Sequence, residues 1–166
     1  MKLKGKNKSD IVFTVILTVL LLAFFALIFY VNLSFNPDYY DGDIYCDINY
    51  AREAWKAKSL FPANWVFGNQ VYVIATPVVA ALLCSVTGNA ITAMGIASCV
   101  MTVLVFLSYD WMMKPQYSYN QRVTGFLAMA AIVFAKGHIA QDQNGAQIFF
   151  TMASYYSCYL ITAFIV

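Results

Sequence analysis

The acids of this chain are not scattered. Asp38, Asp41, Asp43 and Asp47 are four of its eight carboxylates, and all fall in the stretch NPDYYDGDIYCDINYAREAW. A carboxylate so placed has two ordinary uses. It can take a proton from a hydroxyl as a general base, provided it reaches that hydroxyl. It can also cap a helix by accepting backbone N–H bonds. Capping suits Asp43 or Asp41, and Asp47 would then be a favourable acid in the first turn. Asp43 and Asp47 are spaced i,i+4, as are His138 and Asp142, so each pair shares a face on a helix. Oxygen and imidazole ligands of this kind hold hard or borderline divalent ions. The spacing is common by chance, however, and His138 is the only histidine. No metal and no other cofactor is expected.

The elements that position these residues are set by composition. The chain is 61% hydrophobic and 11% charged, against about 25% charged residues in soluble domains. It reads as all-α, a multi-pass transmembrane helical protein of the cell membrane with the bilayer as its main partner. Residues 11–33 are an uncharged run long enough to cross about 30 Å of hydrocarbon. The run lacks the small-residue cleavage site of a signal peptide, so a retained helix is expected. Lys2, Lys4, Lys6 and Lys8 precede it, which puts the N-terminus in the cytoplasm and the outer loop 34–70 outside.

Further apolar segments follow at 71–86, 90–109, 122–137 and 147–166. The first is short and carries Pro77. Gly88-Asn89 makes a turn, and Gly95 and Ser98 are small packing positions in the next helix. If 71–86 spans, the loop with Lys114 and Arg122 lies outside. If it is embedded on the outer side, that loop is cytoplasmic and Asp142 shares a compartment with Asp43. The second topology puts more basic residues inside and is preferred. No internal repeat or low-complexity linker is visible. The run ending at Val166 has no polar flank, so the chain is expected to be the N-terminal part of a larger membrane module.

From Asp43 onward the acidic stretch turns helical. Ile44, Ile48, Ala51 and Trp55 form one apolar stripe, with Asp47, Arg52, Glu53 and Lys56 off it. This predicts an amphipathic helix lying on the outer membrane surface and ending at Pro62. Trp65 is placed at interface depth, as are tyrosines 39, 40, 45, 50 and 72.

An acid after the first membrane helix, then YAREAW on an amphipathic helix, then SLFPANW, resembles the first outer loop of the GT-C integral-membrane glycosyltransferases. The likeness is to the protein O-mannosyltransferase and lipid A aminoarabinose transferase branch. Asp43 stands nine residues before Arg52 of Ala51-Arg52-Glu53, and Pro62 follows. The residue after Asp43 is Ile44 where the branch commonly has a second acid, and Asp41 offers an alternative alignment. AKGHIAQDQNGAQIFFTMA resembles a later outward loop of the class, with Asp142 as its acid. The resemblance implies an inverting transfer from a polyprenyl-phosphate-linked sugar to an acceptor that the sequence does not specify. Asp43, or Asp41, would be the base. Asp142, Arg52, Lys58 and His138 would be substrate-binding residues, the two cations near the donor phosphate. Ordinary surface charge is the competing account of Arg52 and Lys58.

Cys46, Cys84, Cys99 and Cys158 lack CxxC spacing, and only Cys46 is expected to be exposed. No phosphate-binding glycine loop, nucleophile elbow or zinc signature is present, and nothing points to nucleic acid. A non-catalytic membrane scaffold or assembly subunit is the alternative function. A transporter fragment ranks below it, since no acid lies inside a spanning run.

Overall fold

A computed structural model describes residues 7–34, 42–67, 75–136 and 156–166. Among them the chain forms six helices and no strand. These are α1 (Lys8–Leu33), α2 (Gly42–Ala57), α3 (Thr76–Thr87), α4 (Ala90–Met113), α5 (Tyr119–Lys136) and α6 (Ser157–Ile165). By length and composition α1 and α4 can cross a membrane. At 12 residues, α3 is only about 18 Å long, too short to span.

Local chemistry sets most boundaries. Pro77 sits in the first turn of α3, where its missing N–H costs nothing. Gly88 ends that helix with φ 64°, the left-handed conformation that glycine adopts without penalty. Asn89 then caps α4, accepting the N–H groups of Ile91 at 2.9 Å and Thr92 at 3.2 Å. The expected Gly88-Asn89 turn is thus a left-handed stop followed at once by a cap. α4 runs past the expected end at 109, because Asp110 is neutralised by Arg122 (Nε–Oδ1 2.6 Å) across the turn into α5. α5 starts earlier than expected. Gln121 Oε1 accepts both the backbone N–H and the hydroxyl of Ser118, each at 3.0 Å, the back-bond of a capping box. Of the expected segment 147–166, residues 147–155 lie outside the described residues.

Two cores share α4. In the first, Phe24 and Phe25 of α1 meet Phe106 and Tyr109 of α4 around Phe126 of α5, with Phe164 of α6 against Tyr109. The pairing order fixes directions. Thr14 and Thr18 of α1 bond Asn120 and Tyr119 at the start of α5, at 2.9 and 3.0 Å, and Phe24 meets Phe126 further along both. α1 and α5 are therefore parallel. α4 is antiparallel to them, since Phe29 and Leu33 line a groove with Ile96, Cys99 and Val100. The start of α1 and the α4–α5 turn lie at one end of the bundle. The end of α1 and the start of α4 lie at the other. Ser98 and Thr102 are fully buried. Gly95 is also buried, so the expected small packing positions are interior.

Gly125 has a specific reason to be glycine. A Cβ there would collide with the Tyr109 hydroxyl. Gly125→Ala is therefore expected to destabilise by about 1–2 kcal/mol, overpacking outweighing the gain in helix propensity. Adding Tyr109→Phe should recover that loss, and thermal unfolding of the four-member cycle would check it.

The second core joins α2 to α3 and α4. Ile44, Ile48, Tyr50, Ala51 and Ala54 pack on Ala80, Ala81 and Cys84 of α3 and on Ala93, Met94 and Ala97 of α4. The expected amphipathic helix is present, but its apolar stripe is turned to protein. Its stripe is covered by protein, because the small side chains of α3 and α4 let the helices approach closely. Only Trp55 keeps an exposed edge, at 37%. Trp65 and Tyr50 belong to the same core. Their rings pack together at 5.7 Å, and the Tyr50 hydroxyl donates to Leu60 O at 2.9 Å.

α2 ends before Pro62. Lys58 takes φ 51°, while the N–H groups of Lys58 and Ser59 bond Trp55 O and Ala54 O, both at 3.1 Å. This is the Schellman stop, with lysine where glycine is usual. Lys58→Gly is expected to raise stability by about 0.5–1 kcal/mol in a thermal or denaturant titration, relief of the left-handed strain exceeding the extra unfolded-state entropy.

Candidate functional site

α2 is the element that positions the described candidates. Asp43 is exposed in its first turn, where the helix dipole favours a carboxylate. Asp47, one turn on, is 1% exposed. The off-stripe placement of Asp47 is thereby corrected. It lies three residues after Ile44 and four before Ala51, on the packed side of the helix. The two acids form a graded pair, one in solvent and one in the interior.

Cys46 sits between them and is exposed, as expected. Its thiol is pushed above the ordinary range, first by partial burial and then by the carboxylates of Asp47 and Asp43. Less thiolate is present at neutral pH, so alkylation is expected to be slower than for a free cysteine. Asp43→Asn should speed that reaction modestly, and maleimide labelling of a chain retaining only Cys46 measures both effects.

The other candidates on α2 point elsewhere. Arg52 is nine residues from Asp43, about two and a half turns, so it projects from the opposite face. Its charge acts on Glu53 and on Cys84 of α3. Lys58 is fifteen residues from Asp43, about 22 Å along the axis. A phosphate beside Lys58 cannot carry the sugar attacked beside Asp43. The structure does not bring these cations to the acid. Glu53 of Ala51-Arg52-Glu53 has a local task, since Lys56 Nζ and Asn64 Nδ2 donate to its oxygens at 2.9 and 3.3 Å. Those bonds hold its carboxyl below the ordinary range, Lys56 first and then Asn64. Their contribution is present at neutral pH and lost as the pH falls through the lowered value.

Asp41, His138 and Asp142 lie outside the described residues. Among the described residues no three His, Cys, Asp or Glu side chains gather as metal ligands.

Comparison with protein families, curated proteins and solved structures finds no match to this chain.

The chemistry at α2 is that of an exposed carboxylate on a rigid support. Asp43 is fixed at backbone level by the packing of Ile44 and Ile48, both almost fully buried. Such an acid can accept a proton from a hydroxyl brought to that end of the bundle. Sequence reasoning missed Asp47 as an interior acid, although its spacing from Ile44 and Ala51 carried the signal.

Proposed function

We propose that the chain acts in the membrane as a glycosyltransferase unit, moving a sugar from a polyprenyl phosphate to an acceptor hydroxyl with Asp43 as general base. One observation carries the reading. Asp43 is exposed on a helix locked into α3 and α4, the latter one of the two helices able to cross a bilayer. In the membrane, the lysine-rich start of α1 and the turn with Lys114 and Arg122 would face the cytoplasm. α2 and α3 would sit toward the outer leaflet. The outward side chains of α1, among them Ile11, Val15, Ile16, Val19, Leu20 and Leu22, are exposed, as lipid contact requires.

The step balances without a cofactor. The acceptor oxygen forms a bond to the anomeric carbon as that carbon's bond to the phosphate oxygen breaks. The acceptor proton passes to the Asp43 carboxylate, and the polyprenyl phosphate leaves as an anion. Attack opposite the phosphate inverts the anomeric centre. Asp41, Asp142 and His138 remain candidates for this site from sequence.

The alternative, a non-catalytic scaffold, is supported by the use of the same acidic stretch in building the fold. Asp47 is interior, and Glu53 clamps the loop after α2. Transfer from radiolabelled polyprenyl-phosphate sugars to membrane-extract acceptors separates the two. Transfer by the wild-type chain in nanodiscs that is lost in Asp43→Asn supports catalysis. Equal transfer by the variant removes Asp43, and no transfer by the wild-type chain leaves the scaffold.

A further inference from the structure

Lys58 occupies a position where a lysine is unfavourable, at φ 51°, and strain of this kind points to a use for the side chain. It borders a groove of about 270 Å³ between the end of α2 and the outer face of α3, lined also by Trp55, Ser59, Leu60, Leu82 and Ser85. Two hydrogen-bond donors, Lys58 and Ser59, border it. Lys58 forms no ion pair with the acids of the described residues, whereas Lys56 is held by Glu53. Ser59 Oγ accepts the N–H of Phe61 at 3.1 Å, which leaves its own proton to donate.

The surroundings are those of a lipid chain. Leu82 is 61% and Val86, one turn on along α3, is 84% exposed. Phe61 and Val66 also project outward from the loop after α2. Trp55 lies across the groove with one edge exposed, an arrangement favoured at headgroup depth.

We propose that this groove is a binding site for an anionic phospholipid. The phosphate sits on Lys58 and Ser59, and an acyl chain lies against the exposed side chain of Leu82. The site is separate from Asp43 and independent of the transferase reading. A lipid is favoured over free phosphate because Lys58 and the exposed side chain of Leu82 border the same groove, where one ligand can satisfy both.

The test uses Trp55 as reporter in the full chain carrying Trp65→Phe and Trp111→Phe, reconstituted in phosphatidylcholine vesicles. Small fractions of phosphatidylglycerol or phosphatidylcholine, brominated on the acyl chain near the headgroup, are then added. The brominated phosphatidylglycerol should quench Trp55 with about fivefold preference, the weight of one lysine near an anionic surface. Lys58→Gln should abolish the preference. Lys58→Gly should abolish it too while unfolding no earlier than its parent, which separates lost binding from lost folding. Mass spectrometry of lipids retained by the wild-type chain and by Lys58→Gln gives a second reading without the tryptophan changes. Equal quenching by the two lipids, or a preference that survives Lys58→Gln, overturns the proposal. So does a Trp55 response to inorganic phosphate alone that matches the response to the lipid.

Discussion

Asp43→Asn is expected to lower sugar transfer by about 10²- to 10⁴-fold, the usual contribution of a positioned general base, with little change in folding. The substitution keeps the shape of the side chain and removes only its ability to take a proton. The fold should tolerate it because Asp43 is exposed and α2 is held by Ile44, Ile48, Ala51 and Ala54. The loss should fall on kcat, since the proton moves as the new bond forms. Asp47→Asn should behave differently. It alters an interior group, so its effect should appear in thermal stability and expression before it appears in transfer. If both variants lose transfer only in proportion to lost folded protein, the acidic stretch is structural and the catalytic reading falls.

Phe126→Ala should be the most damaging single change to the fold, costing about 3–5 kcal/mol. Phe126 has no exposed surface. Its ring lies 5.6 Å from Phe24, 4.9 Å from Phe106 and 5.8 Å from Tyr109, so one truncation loosens three helices at their shared contact. Lipid tails are as apolar as the ring, so in a membrane the loss is mainly one of packing and of the cavity left behind. Phe126→Leu keeps much of the volume and should cost less than half as much. Unfolding in mixed micelles, followed by circular dichroism, would rank the two variants. Equal stabilities would mean that α5 is not anchored at this ring.

The sequence showed most of the local structure and less of its partners. The stop at Gly88, the cap at Asn89 and the apolar stripe of α2 are local signals, and each appears in the structure. What covers the stripe is a long-range matter. Ile44, Ile48 and Ala51 suit lipid and protein equally well by composition. The deciding residues, Ala80, Ala81, Ala93 and Ala97, lie more than twenty positions away. Their small size was the available clue to close helix approach. The start of α5 was missed, although Ser118 and Gln121 stand at the capping-box spacing. The left-handed turn at Lys58 carries no sequence signal, because lysine is not a residue that chooses it. At the site, α2 itself was legible and its exposed first-turn acid was named. The interior fate of Asp47 and the separation of Arg52 and Lys58 from Asp43 needed the packing direction of the helix.

The pairing of α1 with α5 also bears on how the protein is made. Thr14 finds Asn120 only after 106 further positions have been added to the chain. At ordinary rates of synthesis that is roughly 5–20 s. For most of that interval, until α4 is made, the first helix exists without the neighbours that will bury Leu17, Leu21 and Ile28. A helix that must wait so long is best built to be stable alone in its surroundings, with apolar residues on every side. The run from Ile11 to Leu33 has that character, and much of it stays outward-facing in the finished fold.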